Sequence, residues 1–173
     1  MITDQDGTMR PSAGCREALR ILMAVEGSGG HLIPALEVAK RLASSQASVM
    51  VLYAARRQTA RLAQELVHQV QTNGIECHRV TLSPSRMPIG RDVVRLWQAG
   101  FVWRVAQALC KTFQPDVVVG FGGWFSVPVI LAARQHHIPV LIHEQNVTLG
   151  RANRLLRYWA DQIALSFPPR QAK

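Results

Sequence analysis

Three short segments of this chain place polar and titratable side chains beside a thinly covered backbone. They are Glu26-Gly27-Ser28-Gly29-Gly30-His31, then Gly120-Phe121-Gly122-Gly123-Trp124-Phe125-Ser126, then His143-Glu144-Gln145-Asn146. Glycine lets backbone N–H groups approach an anion with no Cβ in the way, and a helix starting just beyond adds the positive end of its dipole. The first two segments therefore read as phosphate cradles. Tight strand-to-helix turns also need glycine for positive φ with no ligand at all, but two such loops in one chain weaken that plainer reading. His31 follows the first loop, where an imidazole titrating near neutrality serves as a base or as a phosphate partner; the alternative is an ordinary first-turn residue. For the third segment the alternative is a helix start capped by Asn146. His136 and His137 fall at a helix end, where cations suit the dipole, and no chemistry is assigned to them.

Loops of this kind need strands to hold them. Residues 19–25, 48–54, 77–82, 116–121, 139–143 and 162–167 are apolar, β-branched runs of strand length. Between them, residues 31–45, 57–72, 91–113, 126–136 and 149–158 repeat apolar side chains three and four apart, as amphipathic helices do. Near-continuous apolar strands alternating with helices predict an α/β fold, a doubly wound parallel sheet of Rossmann-like form. Ligands of such sheets bind beyond the carboxyl ends of the strands. The loops after the first, fourth and fifth strands are the three segments quoted above.

The 173 residues suit one buried domain, expected over residues 18–167, between a loose tail at 1–17 and a short tail at 168–173. The amino-terminal stretch has no apolar core of the kind that marks a signal peptide, and the longest uncharged run, residues 117–133, is short for a spanning helix. Twenty Lys and Arg against eleven Asp and Glu leave a net charge of +9, which favours phosphate-bearing ligands or an anionic membrane surface. No motif supports nucleic acid as a partner. Cys15, Cys77 and Cys110 lack metal-ligand spacing and read as reduced thiols of a cytosolic protein.

In residues 91–111, Val94, Trp97, Phe101, Val105 and Leu109 share one helical stripe, while Leu96 and Trp103 fall on another side near Arg95 and Arg104. One stripe is expected to pack in the core. The other needs a partner, either within the domain or at a membrane surface, where tryptophan and arginine favour the interface.

Taken together and in this order, the three loops resemble those of the MurG family of bacterial N-acetylglucosaminyltransferases. That family opens with a GGTGGH-type loop before a helix with an early proline, as in residues 26–31 and Pro34 here. Residues 115–128, "PDVVVGFGGWFSVP", and 138–156, "IPVLIHEQNVTLGRANRLL", are longer and more specific matches. The resemblance implies one half of a two-Rossmann, GT-B glycosyltransferase that transfers N-acetylglucosamine from UDP-N-acetylglucosamine to an undecaprenyl-pyrophosphoryl-MurNAc-pentapeptide. It further implies that Ser28, Gly29 and Gly30 lie near the donor phosphates, that Asn146 contacts the donor, and that His31 is a base or phosphate partner. Gly120, Gly122, Gly123, Trp124 and Ser126 of the second loop, with His143, Glu144 and Gln145, would line the acceptor side. Leu96, Trp97, Trp103, Arg95 and Arg104 would form a patch resting on the cytoplasmic face of the cell membrane. An inverting transfer needs a base and backbone donors aimed at phosphate, and no metal or cofactor where loops and dipoles carry the charge.

Two features depart from the family pattern. Glu26 takes the first glycine position, and a carboxylate facing bound phosphate would repel it; the side chain points away, or the loop holds no such ligand. The sequence also contains one Rossmann unit, which implies a donor-binding Rossmann partner chain, as in the eukaryotic dolichol-linked transferase with separate halves. The alternatives are a non-catalytic anchoring or scaffold subunit, a truncated remnant of the same fold, and an NADP-dependent reductase using Arg56 and Arg57. "GSGGH" does not fit the dinucleotide-binding glycine pattern that a reductase requires.

Overall fold

The structure, a computed structural model, describes residues 18–55, 60–82 and 91–168. Six strands alternate with five helices: β1 (Arg20–Glu26), α1 (Gly29–Ser44), β2 (Ser48–Ala55), α2 (Ala60–Gln71), β3 (Glu76–Thr81), α3 (Arg91–Thr112), β4 (Val117–Gly120), α4 (Ser126–Gln135), β5 (Val140–Glu144), α5 (Arg151–Leu156) and β6 (Gln162–Leu165). All pairings are parallel and the order is β3-β2-β1-β4-β5-β6, the doubly wound arrangement expected from the alternation of patterns. Strand order reverses between β1 and β4, so the loops leaving those two strands part to opposite faces and open a crevice between them.

Apolar side chains alternate between two cores. Ile21, Met23 and Val25 of β1 meet α1 and α2 on one face, while Leu22 and Ala24 meet α3, α4 and α5 on the other. Because both faces are covered, the central strands are buried along their length and need no polar alternation. Burial pushes the Cys77 and Cys110 thiols up to about 11, so both stay protonated near neutrality.

The packing of α3 corrects the expected stripe. Its buried line is Val102, Ala106 and Cys110, with Val105 and Leu109 only partly covered. Trp97 is 78% exposed and Phe101 49% exposed, so neither belongs to the core. The reason is steric: α3 packs on α4, and small side chains let the two helices approach where an indole would hold them apart. Leu96, at 74% exposure, and Trp103, at 37%, are also outward, and Arg104 lies exposed beside them. The side chain of Arg95 lies outside the described residues, as do Cys15, Arg56 and Arg57.

Candidate functional site

β1 hands directly to α1 through a turn closed by Ser28 N–H donating to Glu26 O at 2.8 Å and by His31 and Leu32 N–H donating to Ser28 O. Gly27 is the glycine that the fold requires there. Its N–H donates to the Ala54 carbonyl of β2, and a Cβ at this position would overlap that carbonyl. Gly29 and Gly30 are different, because a Cβ on Gly29 meets only the Leu62 methyl at 4.0 Å and one on Gly30 meets nothing within 4 Å. The strand dictates the first glycine of the three, and the other two leave open space at the start of α1.

The second loop turns on Gly122 and Gly123, both left-handed at φ 78° and 76°. Ser126, fully buried, ties it to β1 by donating its Oγ–H to Gly122 O at 2.7 Å and standing 3.2 Å from Ala24 O. Gly120 is packed against Ile130 of α4. Ser126 and Gly120 are expected at the site from the sequence; both are buried, support the loop from the interior and are not among the residues that line the cleft described below. Trp124 is 58% exposed at its tip.

The third loop is organised around Glu144, only 1% exposed at the end of β5. Its carboxylate accepts from Gly150 N–H at 2.8 Å, Asn146 N–H at 3.0 Å, Asn146 Nδ2 at 2.8 Å and Asn153 Nδ2 at 2.9 Å. Burial alone would raise its pKa, but these hydrogen bonds outweigh burial and hold the carboxyl below its ordinary value. Glu144 is thus a clamp on the loop. Asn146 does not cap α5, as the sequence suggested; Gly150 holds that position with no side-chain cap, because the Asn146 amide is spent on Glu144.

His143 stacks on Phe121 at 4.9 Å between ring centroids, and its Nε2 stands 3.2 Å from Ser166 Oγ. Burial lowers its pKa, a shift that the Glu144 charge only partly opposes. A histidine depressed in this way contributes stability that is complete above its unfolded value of about 6.5 and is lost as pH falls through the lower folded value. The melting temperature is therefore expected to drop as pH falls below about 6.5, and His143→Gln is expected to flatten that limb in thermal denaturation across pH. An unchanged slope in the variant contradicts this assignment.

His31, Gly122, Gly123, Trp124, Asn146 and Asn153 line one open cleft of about 240 Å³, completed by Glu144 and residues 150–152. The three loops converge there although they are far apart in sequence. His31 Nδ1 contacts the side-chain amide of Gln145, so the first and third loops meet directly. The two ends of that amide carry different chemistry. With Nε2 donating, the neutral imidazole keeps its proton on Nε2 and is a donor to phosphate. With the amide rotated, Oε1 accepts from Nδ1–H, which leaves the imidazole Nε2 as a base and partners an Oε1 that is otherwise unsatisfied.

Asn153 and Arg151 also line the cleft, and the sequence reading passed over both. Asn153 is 1% exposed on the face of α5 shared by Ala152 and Leu156. An asparagine on an otherwise apolar helix face was the available signal. Its Nδ2 donates to His143 O and Glu144, and its Oδ1 has no partner among the described residues. Of the α3 patch residues whose side chains are described, Leu96, Trp97, Trp103 and Arg104, none lines the cleft.

Fold and cleft together define a Rossmann-like α/β domain with an open cleft beside the switch point of its parallel sheet, where folds of this kind bind their ligands. The chain belongs to glycosyltransferase family 28: residues 21–165 match the glycosyltransferase family 28 N-terminal domain. It is 37% identical over 150 residues to the UDP-N-acetylglucosamine–N-acetylmuramyl-(pentapeptide) pyrophosphoryl-undecaprenol N-acetylglucosamine transferase of Desulforamulus reducens, covering 86% of this chain and 39% of that protein. To the protein of the same name from Shewanella woodyi it is 40% identical over 152 residues, with the same two coverages. The crystal structure of Acinetobacter baumannii MurG superposes with a TM-score of 0.70 at 30% identity, over 90% of this chain and 43% of that one. The chain spans about two fifths of the length of the curated relatives it matches.

Proposed function

We propose that this chain is the acceptor-binding half of an inverting hexosyltransferase of peptidoglycan synthesis. It holds an undecaprenyl-pyrophosphoryl-MurNAc-pentapeptide while a donor-binding Rossmann partner presents UDP-N-acetylglucosamine as the donor substrate. The observation that carries this reading is the meeting of His31 from the first loop, Gly122, Gly123 and Trp124 from the second and Asn146 from the third on one cleft, with Gln145 held against the His31 ring, in a chain matched to the family along that whole segment. In the transfer, His31 takes the proton of the acceptor hydroxyl, or steadies phosphate, while Ser28, Gly29 and Gly30 offer backbone to the donor phosphates. Asn146 and the cleft face of Asn153 orient the sugars.

The direct test mixes the chain with a donor-binding half of a relative and measures transfer of labelled N-acetylglucosamine to the lipid-pyrophosphate acceptor. Product is expected only when both halves are present. Its absence with a folded pair removes the transferase reading and leaves the scaffold alternative.

Membrane attachment is part of the same proposal. No helix among the described residues is long and apolar enough to cross a membrane. Leu96, Trp97, Phe101 and Trp103 instead expose a cluster of large apolar side chains on one helix, with Arg104 beside them on a chain of net charge +9. Such a surface suits the cytoplasmic, anionic face of the cell membrane. The protein is expected to co-sediment with anionic vesicles, less so as salt rises. Leu96→Ser with Trp97→Ser, both outside the core, is expected to weaken that binding with the fold intact. Undiminished sedimentation of the double variant would falsify the patch.

A further inference from the structure

Two kinds of group border the cleft with nothing of the protein to bind. The first is polar: among the described residues, His31 Nε2, Asn146 Oδ1 and the Arg151 guanidinium have no hydrogen-bond or ionic partner, since His31 is bonded through Nδ1 and Asn146 through its N–H and Nδ2. The second is an indole. Trp124 borders the same cleft with 58% of its surface exposed, and its side chain has no ring, cation or hydrogen-bond partner among the described residues. The loop fixes it there: Gly122 and Gly123 before it are left-handed, Phe125 after it is buried in the core beside α4, and Ser126 bonds back to Gly122 O. A large apolar side chain is thus kept at the cleft with much of its surface in water, which costs free energy that a ligand covering it would recover. A ligand serving both kinds of group has an apolar face and an edge that donates and accepts hydrogen bonds. A pyranose has both: the C–H bonds of one face suit the negative face of an aromatic ring, and hydroxyls surround it. A lipid chain would bury three polar ends without partners, and a bare phosphate would leave the indole wet.

We propose that Trp124 is a specificity-determining platform on which the cleft holds a pyranose ring, its face against the indole and its polar edge bonded by His31, Asn146 and Arg151. This rests on the reading of the cleft as an acceptor site and deepens it: Trp124 recognises the acceptor through its sugar ring.

Proton NMR titration of the whole chain with soluble N-acetylmuramyl-pentapeptide tests the platform, with the pentapeptide alone and uridine as comparison probes. Sugar-ring protons are expected to move upfield as the complex forms, because an aromatic ring shields nuclei stacked on its face. Trp124→Ala is expected to abolish that movement and to weaken binding about tenfold, through the lost apolar contact and the lost attraction of the ring. Trp124→Phe keeps an aromatic face and is expected to stay within about threefold of the natural chain. Both changes fall outside the core, and circular dichroism checks that the fold is kept. If the natural chain binds the sugar-bearing probe and Trp124→Ala binds it equally well, or if the sugar protons do not move, the proposal is overturned and the acceptor reading stands. A Trp124→Phe variant as weak as Trp124→Ala overturns it too, as does a pentapeptide that binds as tightly without its sugar. Tighter binding of uridine, lost in Trp124→Ala, overturns it in favour of a nucleobase on the indole. No binding of the sugar-bearing probe by the folded natural chain removes the acceptor reading and the proposal together.

Discussion

Replacing His31 by alanine is expected to lower transfer in the reconstituted pair by roughly 10²–10⁴-fold, the usual cost of losing a general base. His31 opens onto the cleft, and its ring touches only the Gln145 amide among the side chains to which it is hydrogen bonded, so the deletion leaves the cores intact. The loss should fall on kcat, with acceptor binding little changed, because the imidazole acts on a proton that moves only during the reaction. Gln145→Ala offers the companion measurement: it frees the ring without removing it, and a shifted pH profile with partial activity is expected. A His31→Ala pair that transfers at the natural rate would show that the first loop is only a turn.

The second large effect is on stability. Glu144→Ala removes the acceptor of four hydrogen bonds at a site 1% exposed, leaving the N–H groups of Gly150 and Asn146 and the Asn146 amide without that partner and the Asn153 amide with His143 O alone. Losing four charge-assisted hydrogen bonds, most of them partly buried, costs about 3 kcal/mol in all. For a chain of this size that lowers the melting temperature by roughly 6–12 °C. Glu144→Gln, which keeps one acceptor oxygen, should lose less. Because the folded carboxyl titrates below its ordinary value of 4.5, its contribution is complete above that pH and disappears as pH falls further. The natural protein and the alanine variant should therefore converge in strong acid. Equal melting temperatures at pH 7 would remove Glu144 from its role as the clamp.

The strands were legible because a sheet covered on both faces demands continuous apolar runs, and five helices stood between them in period. The loops were legible because their glycines fall where strands end. The individual duties of the residues were not. Gly27 and Gly120 answer to neighbouring backbone and to Ile130, contacts between elements that no local pattern announces. Ser126 looked like a ligand contact and is a brace to β1, since only the fold brings Ala24 O within reach. In α3 the periodicity was correct and the phase was not: hydrophobicity favoured Trp97 and Phe101, whereas close packing on α4 selected Val102, Ala106 and Cys110. Asn153 was passed over because its partner, Glu144, lies on a different element.

The parallel topology also sets an order of events for the chain as it forms. β1, β2 and β3 pair through residues no further on than 81, and the Gly27 N–H of the first glycine loop is bonded within that set, to Ala54 O. Ile21 must then wait for Val117, and only after that pairing do β5 and the third loop have an edge to join. Such distant contacts form late and slowly. The cleft accordingly exists only when β1, β4 and β5 are paired, so that competence to bind depends on contacts between residues about a hundred apart in the sequence.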